Sequence, residues 1–133
     1  MEDFRKDAPV ISAYSRRQAI TDGVLKDITE YAAQLGFSIP VAITSEAWGE
    51  SVSWPEAAGF HQNEPDRIRD LLRAAHRAVI AACHSDVTRI PVKTWRIPVA
   101  EPKAEPQAIE LHLQIGPGDT ILPVVTILLP EQD

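Results

Sequence analysis

Apolar positions follow two different periods along this chain, and the change falls near residue 84. Between Glu64 and His84, Ile68, Leu71, Leu72, Ala75, Val79 and Ala82 recur at helical spacing and form one stripe. Asn63 stands where an N-cap belongs, Pro65 lies in the first turn, and Asp66 complements the positive end of the helix. Arg69, Asp70, Arg73 and Arg77 fall on the opposite face. Beyond His84 the period becomes two. Arg89–Val99 alternates, with Lys93, Trp95, Ile97 and Val99 on one face. Ile109 to Ile115 alternates strictly, with four aliphatic residues facing one way and Glu110, His112 and Gln114 the other. Val124–Leu129 is apolar on both faces, which predicts a central strand. "AEPKAEPQ" reads as a Pro-rich connection and "GPGD" as a turn.

The first half predicts shorter pieces. Ser15 caps a helix of one or two turns, with Gln18 at the third position. Gly23 stops it, taking the left-handed conformation common at helix ends. Asp27 caps a second helix with apolar positions Ile28, Tyr31, Ala32 and Leu35, and Gly36 with Phe37 closes it. Val24 and Leu25 are expected to insert between the two helices. Residues 39–44 form a short strand, which Pro40 confines to a strand start or an edge. Ser45 begins a helix holding Ala47, Trp48 and Val52, which ends at Trp54-Pro55. "PEAAGFHQNEP" is a loop.

Helices first and a strand meander last predict an α+β fold. The N-terminal short helices and the long central helix are expected to pack on a C-terminal antiparallel sheet. Residues 1–9 read as a flexible arm and 10–133 as a single domain.

Composition narrows the function. The formal net charge is −6. Nucleic-acid binders draw most of their affinity from basic stripes. A nucleic-acid role would need Arg67, Arg73 and Arg77 to line up with Arg16 and Arg17, and direct binding is not expected. A single cysteine, Cys83, forbids an internal disulfide. "MEDFRKDAPV" has no apolar signal region, and no run is long enough to span a membrane. A cytoplasmic protein is expected.

Catalytic and metal spacings are sparse. The four histidines are His61, His76, His84 and His112. His76 and Cys83 share a helix face, but no close His/Cys pair has zinc spacing, so neither metal nor cofactor is expected. Cys83 near a helix C-terminus is a poor thiolate. "IGPGD" lacks phosphate-loop spacing, and Pro117 removes an amide donor. Glu110, His112 and Gln114 form a polar row on one strand, which would become a site if another element covered it. Trp48 and Trp54 flank the longest irregular loop, with Phe60 inside it and Glu50 and Glu56 nearby. Aromatic residues ringed by charge are the composition of an interface centre.

The stretches Val10-Ile11-Ser12-Ala13-Tyr14, Gln18-Ala19-Ile20, Asp22-Gly23-Val24-Leu25, Asp27, Gly36-Phe37, Pro40-Val41-Ala42-Ile43-Thr44 and Trp48 resemble an uncharacterised family of small proteins found on bacterial plasmids and integrative elements. Ile115-Gly116-Pro117-Gly118-Asp119 and Thr126–Glu131 extend the resemblance, while residues 55–108 lie outside it. It implies an accessory gene of mobile DNA, a setting where proteins blunt host defences. The leading expectation is a non-enzymatic binder of a protein partner, through Trp48, Glu50, Trp54, Glu56 and Phe60. Its most specific form is inhibition of a host defence complex such as CRISPR or restriction, with a basic nucleoprotein complex as the partner. The competing expectation is a small enzyme or ligand-binding domain using Glu110, His112 and Gln114.

Overall fold

A computed structural model describes residues 14–82 and 87–133. Val10 to Ala13 of the predicted lead-in, Cys83 and His84 lie outside the described residues. Helix α1 spans Arg16–Thr21, strand β1 Leu25–Asp27, α2 Thr29–Gln34, β2 Val41–Thr44 and α3 Ser45–Ser51. A short 3-10 turn comes next at Glu56–Ala58, then α4 at Glu64–Ala81. Strands β3 (Arg89–Arg96), β4 (Gln107–Pro117) and β5 (Pro123–Leu128) complete the order. The architecture is α+β, as the succession of periods predicts.

One five-stranded sheet runs β1-β2-β5-β4-β3. The three C-terminal strands form the expected antiparallel meander, and β5 is central, as its two apolar faces require. The sheet is larger than the pattern suggested. β2 joins β5 in parallel, with Val41 opposite Val125 and Ile43 opposite Ile127. β1 then covers the other side of β2, so β2 is an interior strand. Pro40 lies just outside it, where no ladder amide is needed, and its carbonyl accepts from Val125 N–H at 2.9 Å.

α4 lays its stripe on the sheet. Ile68, Leu71, Leu72 and Ala75 are buried against a core that includes Ile90, Val92, Leu111, Leu113, Val125 and Ile127. Its N-cap is Asn63, whose Oδ1 accepts from Asp66 N–H at 2.9 Å. α3 is capped one residue earlier than expected, by Thr44, whose Oγ1 accepts from Ala47 N–H. At the end of α2, Phe37 N–H bonds to Ala32 O and Gly36 N–H to Ala33 O, the paired closure of a Schellman cap.

Gly23 has φ +82° and ends α1, but the chain then enters strand β1 before reaching its second helix. A Cβ added at Gly23 would meet nothing within 4 Å, so only the backbone conformation opposes a side chain there. Gly23→Ala should therefore destabilise the fold by about 1 kcal/mol through the left-handed penalty alone. An unchanged midpoint in chemical denaturation would show that the turn relaxes to negative φ.

Candidate functional site

The loop between α3 and α4 is built around Trp54. That side chain is 6% exposed, and its indole N–H donates to Gly59 O at 2.9 Å. Its backbone N–H donates to Glu64 Oε2 at 3.0 Å, tying the loop to the start of α4. The His61 ring meets the indole edge-on at 5.2 Å, and the Arg67 guanidinium lies over it at 4.8 Å. His61 Nε2 is also 2.9 Å from Pro102 O, across the chain in the Pro-rich connection. Gly59, at φ +111°, takes a backbone conformation that favours glycine. The next residue, Phe60, points outward and is 90% exposed.

These contacts divide the residues expected to meet a partner. Trp54 is a core residue that braces the loop, and its indole is closed to direct contact. Trp48 is half buried against the core, with Lys26 Nζ 5.3 Å from its ring. Glu50, Glu56 and Phe60 are exposed. Beside Phe60 lies a mostly apolar depression of about 550 Å³, with Ala57, Ala58 and Gly59 on one wall and Pro102, Lys103 and Ala104 on the other. An exposed aromatic ring thus sits next in sequence to residues lining a shallow hollow, whose wall includes exposed Glu101.

Beneath this loop lies a pair of buried arginines that the helical series of basic residues did not predict. Arg67 is 2% exposed and Arg96 5%. Arg67 donates from Nε to Val52 O, and from Nη1 to Gln62 Oε1 and Ile97 O. Arg96 donates from Nε to Ser51 O and from Nη2 to Arg67 O. Carbonyl oxygens, rather than carboxylates, accept the hydrogen bonds that both guanidinium groups donate. Burial, then the neighbouring charge of Arg96, push the Arg67 guanidinium down to about 10, so it remains charged at neutral pH. Arg67 thus lies inside, and the Arg16 guanidinium is bound to Thr126 Oγ1 and Val125 O.

On the far face of the sheet, Arg89 organises the polar row. Its Nε donates to His112 Nδ1 at 2.9 Å, and its Nη1 donates to Gln114 Oε1 at 3.1 Å. Since arginine can only donate, the His112 proton sits on Nε2, which contacts Glu110 Oε2 at 2.9 Å. Arg89 Nη2 also donates to the carbonyls of Pro130 and Gln132, tying the segment after β5 to β3. Glu110, His112 and Gln114 are therefore brought together. Both imidazole nitrogens already have partners, so a proton transfer by His112 would require breaking one of these bonds.

The two segments that carried the resemblance meet in space. Asp119 of the GPGD turn accepts from Arg16 N–H at 2.7 Å and Arg17 N–H at 3.0 Å, capping α1 from across the chain. Ser15 Oγ accepts from Gln18 N–H beside it. Those two amide bonds hold the Asp119 carboxyl below its usual range. The open hollow here is lined partly by Tyr14, Arg16, Leu25 and Pro117. Its charged groups are already committed to holding α1 to the sheet.

Among the described residues, no group of three His, Cys, Asp or Glu side chains could hold a metal ion. No helix among them is long and apolar enough to cross a membrane. Over residues 1–133 the sequence matches a family described as a family of unknown function (DUF6573). No curated protein and no solved structure matches the chain.

Proposed function

The chain belongs to this family of unknown function, and from its surface we propose that it is a stoichiometric protein-binding module acting through the Phe60 loop. The observation that carries this reading is a large aromatic side chain 90% exposed on a loop braced from beneath. A braced anchor loses little conformational entropy on binding, which is what distinguishes an interface centre from a chance apolar residue. The hollow beside it gives a partner's side chain a place to dock. Glu50 and Glu56, together with the overall charge of −6, favour a basic partner and would speed encounter. In its specific form, this is a cytoplasmic accessory protein of mobile DNA that inhibits a host defence complex, with a basic nucleoprotein assembly as its target.

The test is to identify the protein captured from the native host and measure its affinity for variants. Phe60→Ala should weaken binding by about 2 kcal/mol or more, as loss of a central aromatic does. It should leave the unfolding free energy within about 0.5 kcal/mol of wild type, because the side chain packs on little of its own protein. Glu50→Lys with Glu56→Lys should slow association and remove its salt dependence. Equal affinity of wild type and Phe60→Ala would place the interface elsewhere, and turnover at sub-stoichiometric protein would exclude a purely binding role.

A further inference from the structure

The sheet ends at β3, whose outer edge is unpaired among the described residues. The bond from Ile115 N–H to Thr88 O sets the phase of the β3–β4 ladder. Even-numbered residues of β3 aim their N–H and C=O groups at β4, and odd-numbered residues aim theirs outward. Pro91 falls in the outward set, where its missing N–H costs the ladder nothing. The open edge thus offers the N–H groups of Lys93 and Trp95 and the carbonyls of Pro91, Lys93 and Trp95. These alternate as a strand's own backbone groups do.

α4 runs alongside this edge, and between them lies a groove of about 370 Å³ lined by Asp70, Arg73, Arg77, Lys93, Trp95 and Arg96. Four cations face one carboxylate, and that carboxylate is tied to Arg73 at 2.8 Å. Arg77 and Lys93 have no ion-pair partner among the described residues. Arg96 is buried, and its Nη1 has no acceptor among them. Among the described residues Asp70 is the one carboxylate near Arg96, and it is shared with Arg73, so the groove keeps an excess of positive charge that an incoming anion would offset. Trp95, 65% exposed, adds an aromatic surface at the end of the strand.

Charge also selects the occupant. Edge-to-edge pairing of two copies of this chain would set Arg77 and Lys93 near their own equivalents, and like charges there oppose it. A nucleic-acid backbone would place phosphates against the outward carbonyls of Pro91, Lys93 and Trp95, which only a donor can satisfy. We propose that the β3 edge takes up an extended acidic segment of a partner protein as a sixth strand of the five-stranded sheet. The segment's backbone pairs with Lys93 and Trp95, and its carboxylates meet the side chains of Arg73, Arg77 and Lys93. Phe60 does not line this groove.

Fluorescence anisotropy with a labelled peptide of alternating glutamate and valine tests it. The wild-type protein should bind this peptide, and Arg77→Glu with Lys93→Glu should weaken binding about tenfold or more. Lys93→Pro, which deletes one outward donor and no ladder bond, should also weaken binding while leaving the melting temperature unchanged. Peptides N-methylated on alternate amides should separate by phase: one phase loses binding and the other keeps it. No binding, or binding indifferent to charge reversal, excludes the site. Equal binding by both methylated phases, or by a single-stranded oligonucleotide, would make the groove a simple anion surface and exclude strand addition.

Discussion

Leu72→Ala should destabilise the protein by about 2–5 kcal/mol, the range for truncating a fully enclosed leucine. Leu72 is 0% exposed, at the centre of the stripe that α4 presents to the sheet. Its neighbours come from the helix and from the inward faces of the strands, so they cannot collapse into the space without moving a helix against a sheet. The penalty therefore includes the cavity as well as the lost transfer free energy. The measurement is the midpoint and slope of urea unfolding. The midpoint should fall at constant slope, since the variant exposes the same surface on unfolding. Arg73→Ala, one residue along on the exposed face, should change the unfolding free energy by about 0.5 kcal/mol or less. Equal effects at the two positions would mean that the stripe is not the buried face, and that α4 presents it to a partner.

The contrast between Leu72 and Arg73 was legible in the sequence because a periodic pattern reports local geometry. The same holds for β4, for β5 in the middle of the sheet, and for the caps at Ser15 and Asn63. Strand β1 was not legible. Leu25–Asp27 has three residues and no alternation of its own, and its extended form comes from pairing with β2. The parallel union of β2 with β5 and the capping of α1 by Asp119 were hidden for the same reason: each joins residues far apart in the chain. The buried arginines are a different case. Arg67 stands four residues before Leu71, in phase with the helical stripe. Arg96 shares the strand face of Ile90, Val92 and Thr94, all buried. The helical period placed Arg67 inward, and only the usual exposure of arginine argued otherwise. For Arg96 the alternation was visible, but the face it singled out was that of Lys93 and Trp95, and the structure buries the other one. At the candidate interface, the aromatic cluster around the loop was visible, but composition could not say which ring packs inward. Trp54 does so because its N–H reaches Gly59 O, which turns Phe60 out.

Arg67→Ala should cost on the order of 3 kcal/mol, against an intuition that removing a buried charge helps. Three effects compete. Removal relieves the desolvated charge and its repulsion of Arg96, which favours the variant. It also leaves Val52 O and Ile97 O without their donors inside the protein, and each such orphan costs about 1–3 kcal/mol. Finally, it opens a cavity beneath the Trp54 ring, on which the guanidinium rests at 4.8 Å. The last two effects outweigh the first because the bond to Val52 O is buried, so water does not easily replace the lost donor there. Arg67→Met separates the terms, since it restores volume but not the hydrogen bonds. It should recover part of the loss and still fall below wild type. A methionine variant as stable as wild type would show that the carbonyls rehydrate, leaving the charge to be explained by function alone. Amide exchange gives a second readout: residues 55–62 should lose protection in both variants ahead of the sheet. If Phe60 is the anchor of an interface, partner affinity should then fall in Arg67→Ala although Arg67 itself is out of a partner's reach, because the loop that presents the ring would have to be ordered at the moment of binding.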